Sequence, residues 1–362
     1  MFDFLNLKTE AFGIDISDLS LKVIKLKKKR DGLALASFGE AEMKSGIVRN
    51  GEVKKEDELV KMIKKAISEV NGEKIGIKYV VASLSEEKSF SQIIQMPYMA
   101  EQDLKTAVIF ESENHIPLPI EQVYLDSQII PPIVRHSDHH DVLIAATPKK
   151  IVDPYVSCLK KSGLKPVALE IESSAVARAL IKGGISAQPI LIIDLGETRT
   201  SFVVFSGNSI RSTFSIQISS RGLAEIISRV LEIDFAQAEK LKLKYGVAGK
   251  KTEEGEKVFE AMIPALTDLV EQIKKYLDYY QTHVSNDHSP STSNEIKKCL
   301  LCGGGANLKG LKEFLSAELK FSVEIGNPFV NISEKINSKM PPERYSSYST
   351  AIGLALRGIN QS

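Results

Sequence analysis

Two aspartates stand where an apolar run gives way to a polar turn. Residues 12–16 are apolar apart from Asp15 and lead into Ser17, Asp18, Ser20 and Lys22. Residues 190–193 are apolar, end at Asp194, and lead into Gly196, Glu197, Thr198, Arg199 and Thr200. Carboxylates at strand tips can reach a divalent metal, usually through its waters. Backbone N–H groups and hydroxyls in the following turn can wrap phosphate oxygens, and a lysine adds positive charge. Together the two pieces suggest a clamp on a metal-bound triphosphate. Taken singly, each aspartate also fits a plain turn former. A third piece shifts the balance: Gly303-Gly304-Gly305-Ala306 lies between an apolar strand, 298–302, and an amphipathic helix, 308–319. Three successive glycines permit positive φ and close approach of a ligand, more than a simple turn requires, so ligand contact is the reading favoured.

The elements around these residues repeat. Residues 12–16, 21–26 and 33–38 read as strands, with an Asp31-Gly32 hairpin signal between the last two. Residues 59–70 carry a helical stripe, and 79–84 is a short apolar strand. The opening pattern returns at 190–193, 202–205 and 210–214. Aligning Asp15 with Asp194 therefore gives a duplicated domain. Between the copies, about 85–166, the texture is that of a small inserted α+β subdomain: strands at 90–96, 123–130 and 141–146, a helix from about 100 to before Pro117, and another near 152–161. The second half continues with helices around 223–231, 235–245 and 263–284, a polar loop at 286–294, and a final helix at 349–357.

Composition excludes several classes. The 362 residues carry 47 Lys plus Arg against 46 Asp plus Glu, a net charge of +1. That gives no long-range pull on nucleic acid or anionic lipid. The Lys27 to Arg30 run has no interleaved aromatics and reads as a solvated loop edge. No apolar run is long enough to span a bilayer, and the opening seven residues fit neither a signal peptide nor a membrane span. Cys158, Cys299 and Cys302 form no disulfide framework, which fits a reducing, cytoplasmic setting. Cys299 and Cys302 read as core, and His136, His139 and His140 with Asp138 and Asp141 as a solvated loop. No nucleophile–base pair stands out for covalent catalysis.

The segments 15–22, 194–200, 303–306 and 351–355 come in an order that resembles the superfamily of actin, DnaK-type chaperones, sugar kinases and FtsA. The resemblance implies an α/β, actin-like (ribonuclease H-like) duplicated two-lobe fold with an inserted small α+β subdomain. Its parts would be 1–84 for the first lobe, 85–166 for the insert, 167–186 for a hinge helix and link, and 187–362 for the second lobe. That second lobe would hold a helical part at about 223–297 and the hinge helix 349–357. It also implies that Asp15, Ser17, Ser20, Lys22, Asp194, Gly196, Thr198, Thr200 and Gly303 to Ala306 bind ATP, with Asp15 and Asp194 on Mg²⁺. Glu239 and Lys242 would line the nucleoside side, 173–180 would be the other hinge helix, and Glu172 would stand near a catalytic water.

Within the superfamily, several marks resemble the type IV pilus assembly protein PilM family. They are Phe12 to Ser17, Met96-Pro97 leading to Glu101 and His115-Ile116-Pro117, Glu172 to Ala175, the 300–308 glycine segment, and Asn327-Pro328-Phe329. That resemblance implies an ATP-binding assembly protein of the type IV pilus or type II secretion inner-membrane platform. It would recruit the cytoplasmic N-terminal peptide of a PilN-like membrane protein, in a groove where the insert meets the first lobe. It implies a cytoplasmic protein held at the inner face of the membrane by its partner, with no nucleic acid bound, no membrane insertion of its own, and self-association or further platform partners left open. The superfamily usually has glycine where Ser17 stands, and Asp18 adds negative charge there, so hydrolysis is expected to be slow at most. Two alternatives stay open: an FtsA-like cell-division filament protein, and a small-molecule kinase of the same superfamily.

Overall fold

The computed structural model describes residues 10–30, 32–131, 139–249, 252–283, 295–333 and 340–360. Asp31, His136, Asp138 and the 286–294 stretch lie outside them. The chain divides into two compact units, one of 1–184, 328–341 and 348–362, the other of 185–327 and 342–347.

The first unit opens with an antiparallel meander, β1 (Phe12–Ile16), β2 (Ser20–Lys29) and β3 (Gly32–Glu42). A two-residue hairpin joins β4 (Val48–Arg49) to β5 (Glu52–Val53), and α1 (Glu56–Ser68), β6 (Asn71–Gly72) and β7 (Tyr79–Leu84) follow. Next come β8 (Phe90–Pro97), α2 (Glu101–Ser112), β9 (Val123–Ile130), β10 (His139–Pro148), α3 (Lys149–Lys161), β11 (Lys165–Ile171) and α4 (Glu172–Leu180). The main sheet has the order β11-β7-β1-β2-β3-β6, with β1, β7 and β11 parallel. All five residues of β1 are buried. That is the pattern of a central strand covered on both faces, and it explains a continuous apolar run rather than alternation.

The second unit repeats the plan. Its strands β12 (Ser186–Leu195), β13 (Thr200–Gly207) and β14 (Ser209–Ile216) form the meander. Helices α5 (Ser220–Leu231), α6 (Phe235–Tyr245) and α7 (Glu253–His283) lead to β15 (Lys298–Cys302), α8 (Leu311–Leu319) and β16 (Ser322–Ile325). The order is β14-β13-β12-β15-β16, with β12, β15 and β16 parallel. In both sheets the first strand of the meander is flanked by a parallel strand that a helical crossover delivers. The last helix, α9 (Ser349–Asn360), belongs to the first unit.

Several boundaries differ from the sequence reading. Within the 85–166 stretch, the small sheet β8-β10-β9 and α2 have their own core of Ile94, Met96, Leu104, Val108, Val142 and Ile144. Helix α3 instead buries Ile151, Tyr155, Cys158 and Leu159 against Phe12, Ile14 and Leu59 of the main core. The sequence reading has no strand at β11, which carries Pro166 as its second residue. That proline lies in an edge strand with a register shift at Pro166/Ala168, where a missing N–H is tolerated. α7 starts at Glu253, ahead of the expected 263, and buries Val258, Phe259 and Met262 before Pro264. The sequence reading also lacks the short edge strand β16, in which only Val323 is buried. Helix α9, assigned above to the second lobe, packs in the first unit, where an added Cβ on Gly353 would lie 1.8 Å from the Ala175 carbonyl oxygen of α4. Cys299 and Cys302 are buried on β15, and burial pushes the Cys299 thiol up.

Candidate functional site

In the first unit Asp15 sits at the carboxyl end of β1, beside the carboxyl end of β7. Ser83 Oγ donates to Asp15 Oδ1 at 2.9 Å and accepts from Ile16 N at 2.9 Å. Lys22 is its cross-strand partner on β2. Burial pushes the Asp15 carboxyl above its ordinary value. The Lys22 charge and the Ser83 bond pull it back, and Glu40 adds a further upward push. The next turn closes on itself: Ser17 N donates to Ser20 O at 3.0 Å, and the two hydroxyls lie 3.0 Å apart. Lys22 Nζ donates to Ser20 Oγ at 2.8 Å and pairs with Glu40 at 3.6 Å, which puts a cation on the rim of the turn.

Asp18 does something other than crowd that turn with charge. Its carboxylate accepts from Asn50 N at 2.8 Å and Gly51 N at 3.0 Å, and the residue is buried. Glu172, the first residue of α4, accepts from Glu86 N at 3.2 Å, while Glu86 accepts from Ser173 N at 3.3 Å. Each carboxylate thus caps the other's helical turn. Arg178 further along α4 donates to Glu170 at 2.7 Å and to Gly353 O of α9 at 3.1 Å.

In the second unit Asp194 is the penultimate residue of β12, level with Cys302 at the end of parallel β15, and Gly303 follows Cys302 directly. Gly303 has φ 83°, and a β-carbon there would lie 2.5 Å from Leu195 O. Gly305 presses on the Leu195 side chain, whereas Gly304 is exposed with open space beside it. Two of the three glycines are therefore required by close packing of the β12 and β15 tips. Only Gly304 leaves backbone open to a ligand. Ala306 is buried and donates its N–H to Gly303 O at 3.4 Å.

The turn after Asp194 rests on the start of α5. Gly196 N donates to Arg199 O at 2.9 Å, and Gly196 O accepts from Ser220 N at 3.0 Å. Thr198 is half-buried in that turn. Thr200 is fully buried and donates its hydroxyl to Ile218 O at 2.6 Å, so it braces the turn from beneath. Lys242 is buried as well. Its ammonium donates to Ser220 O at 2.7 Å and Ser220 Oγ at 2.9 Å, and pairs with Glu239 at 2.8 Å. Glu239 and Lys242 thus meet as a pair at the α5 N-terminus, under the Gly196 turn. Sequence reasoning missed Ser83, Glu86, Ser220 and the Asn50-Gly51 turn. Of these only Asn50-Gly51 carried a signal, since that dipeptide marks a two-residue hairpin.

A duplicated five-strand sheet order, with an aspartate at the carboxyl end of each central strand, defines an actin-like protein. A sequence profile of the type IV pilus assembly protein PilM family matches residues 13–359, and the chain belongs to that family. It is similar to the solved PilM-PilN type IV pilus biogenesis complex, with 26% identity over 97% of this chain and 99% of that chain and a TM-score of 0.82. It is similar in fold to MreB5 of Spiroplasma citri solved with ADP, at 12% identity over 96% of this chain and 95% of that one, TM-score 0.55. Among curated relatives, the cell division protein FtsA of Buchnera aphidicola subsp. Baizongia pistaciae is 26% identical over 193 residues, 47% of this chain and 44% of that protein. The chain thus matches less than half the length of that relative. Among the described residues no helix is long and apolar enough to cross a membrane.

Proposed function

We propose that this chain is a nucleotide-binding assembly protein of a type IV pilus or type II secretion platform, and that it recruits the cytoplasmic N-terminal peptide of a PilN-like inner-membrane protein. The observation that carries the reading is the near-complete match, in both chains, to the PilM-PilN complex. The ligand reading is supported by the strand tips, since ligands of open α/β sheets bind outside the carboxyl ends of parallel strands. Asp15 in the first unit and Asp194 in the second are each carboxylates able to reach Mg²⁺ through its waters, and the metal would neutralise phosphate charge when bound. The chemistry of the donor set fits a cation: Asp15 is a buried carboxylate whose ionised form the Lys22 charge and the Ser83 hydroxyl favour. Ser17, Ser20, Lys22, Gly196 and Thr198 would contact phosphate oxygens, and Gly304 would let the nucleoside approach the backbone. Thr200, Glu239 and Lys242 would hold the second turn in shape. Slow hydrolysis fits the engagement of Glu172 with the Glu86 amide.

The peptide would dock where the insert meets the rest of the first unit. Both outer strands of the three-stranded sheet, β8 and β9, are edges able to accept a further strand. Tyr98, Phe110 and Tyr124 are exposed on the insert. The protein would sit in the cytoplasm, held at the inner membrane by this partner. Calorimetry with Mg²⁺ and a non-hydrolysable ATP analogue, and with a synthetic N-terminal peptide of the PilN-like protein from the same genome, tests both halves. Binding of both ligands is the expected result, and absence of peptide binding would sink the assembly reading.

A further inference from the structure

Gly51 grips both chain segments that join the insert to the first unit. On the way in, its Cα packs on Ser85, so closely that a β-carbon there would lie 2.4 Å from Ser85 Cβ. The adjacent Glu52 pairs with Lys88 at 3.2 Å, and Ser89 meets Thr147, at the far end of β10, at 2.9 Å. On the way out, the fully buried Tyr155 of α3 donates its hydroxyl to Gly51 O at 3.1 Å. Asp153 of the same helix accepts from Tyr124 of β9 at 3.0 Å.

Gly51 is held in turn by Asp18. Asn50 and Gly51 are both left-handed, with φ 49° and 70°, and close the β4–β5 hairpin as a two-residue turn. Their successive amides converge on the Asp18 carboxylate at 2.8 and 3.0 Å. Paired amides of this kind form a nest for an anion, and here the anion is a side chain from the Ser17–Ser20 turn.

We propose that Asp18 is a positioning residue which couples a phosphate at the Ser17–Ser20 turn to peptide docking on the insert, with the Asn50-Gly51 turn as the relay. The proposal rests on the function proposed above. An anion arriving at Ser17 and Ser20 repels the neighbouring carboxylate and drives it deeper into the nest. That fixes Gly51 and, through Ser85 and Tyr155, both necks of the insert. By linkage the peptide must tighten nucleotide binding by the same factor that nucleotide tightens peptide binding.

The test measures peptide affinity with and without the Mg²⁺-bound ATP analogue, by calorimetry, on the full chain. Wild type is expected to bind the peptide about fivefold tighter or more with the analogue present. In Asp18→Asn that factor should fall to within about twofold of unity. Tyr155→Phe keeps the core volume and removes the bond to Gly51, so it should also shrink the factor. Hydrogen exchange should show the Asn50 and Gly51 amides protected by the analogue alone in wild type but not in Asp18→Asn. A coupling factor of unity in wild type, or an undiminished factor in both variants, overturns the proposal while leaving the two binding functions standing. Wild type binding neither ligand would instead remove the function itself, and this relay with it.

Discussion

Asp194 Oδ1 lies 2.3 Å from where a β-carbon on Gly303 would stand, so the acid tip of β12 and the glycine after β15 are packed as one unit. Gly303 also has φ 83°, in the left-handed region that suits glycine. Gly303→Ala should therefore destabilise the protein by roughly 2–4 kcal/mol, from backbone strain and overpacking together. It should also displace the Asp194 carboxylate and lose Mg²⁺-dependent nucleotide binding. Gly304→Ala meets open space and should change stability by less than about 0.5 kcal/mol. Urea denaturation of the two variants checks the contrast, and equal losses would refute this account of the glycine triplet.

Asp15 is a buried carboxyl pushed above its ordinary value by burial. A group whose pKa is raised on folding adds stability at pH below its unfolded value. That contribution is lost as pH rises through the raised folded value. Asp15→Asn keeps an oxygen for the Ser83 hydroxyl and removes the buried charge. Its melting temperature relative to wild type should rise as pH climbs above the ordinary carboxylate value of about 4, because only wild type must ionise the group as pH rises. Affinity for the Mg²⁺-bound ATP analogue should fall at least about tenfold, since the carboxylate proposed to face the metal is gone. A pH-independent difference in melting temperature would show that Asp15 ionises in the fold as freely as in the unfolded chain.

Lys242 is a buried cation with three partners, Ser220 O, Ser220 Oγ and Glu239. Lys242→Met fills similar volume but leaves those acceptors without their donor, at a cost of roughly 2 kcal/mol. Glu239 is about a third exposed, with 34% of its side-chain area open, so Glu239→Gln should cost less than about 1 kcal/mol. Because Ser220 N also holds Gly196 O, Lys242→Met should loosen the turn after Asp194 and raise hydrogen exchange at Ser220 and Arg221. Chemical denaturation and exchange measurements on the two variants check the ranking. A larger loss for the exposed partner would reverse the assignment.

The acid tips, the repeat of β1–β3 in β12–β14 and the family were legible in the sequence because each rests on local pattern. An apolar run ending at Asp15 or Asp194 states its own strand and its own tip, and helical stripes such as 59–70 state their buried face. Tertiary structure decided what the polar side chains do. Asp18 finds its amides 32 and 33 residues away, Glu172 its amide 86 away and Lys242 its Ser220 partner 22 away. Nothing in the local pattern distinguishes a carboxylate aimed at a ligand from one that caps a distant turn, because both satisfy the same need for hydrogen-bond donors. The same holds for α3, whose stripe of Ile151, Tyr155 and Leu159 would suit any apolar surface. Only the packed sheet chose the main core over the insert, since burial rewards area and is indifferent to sequence distance.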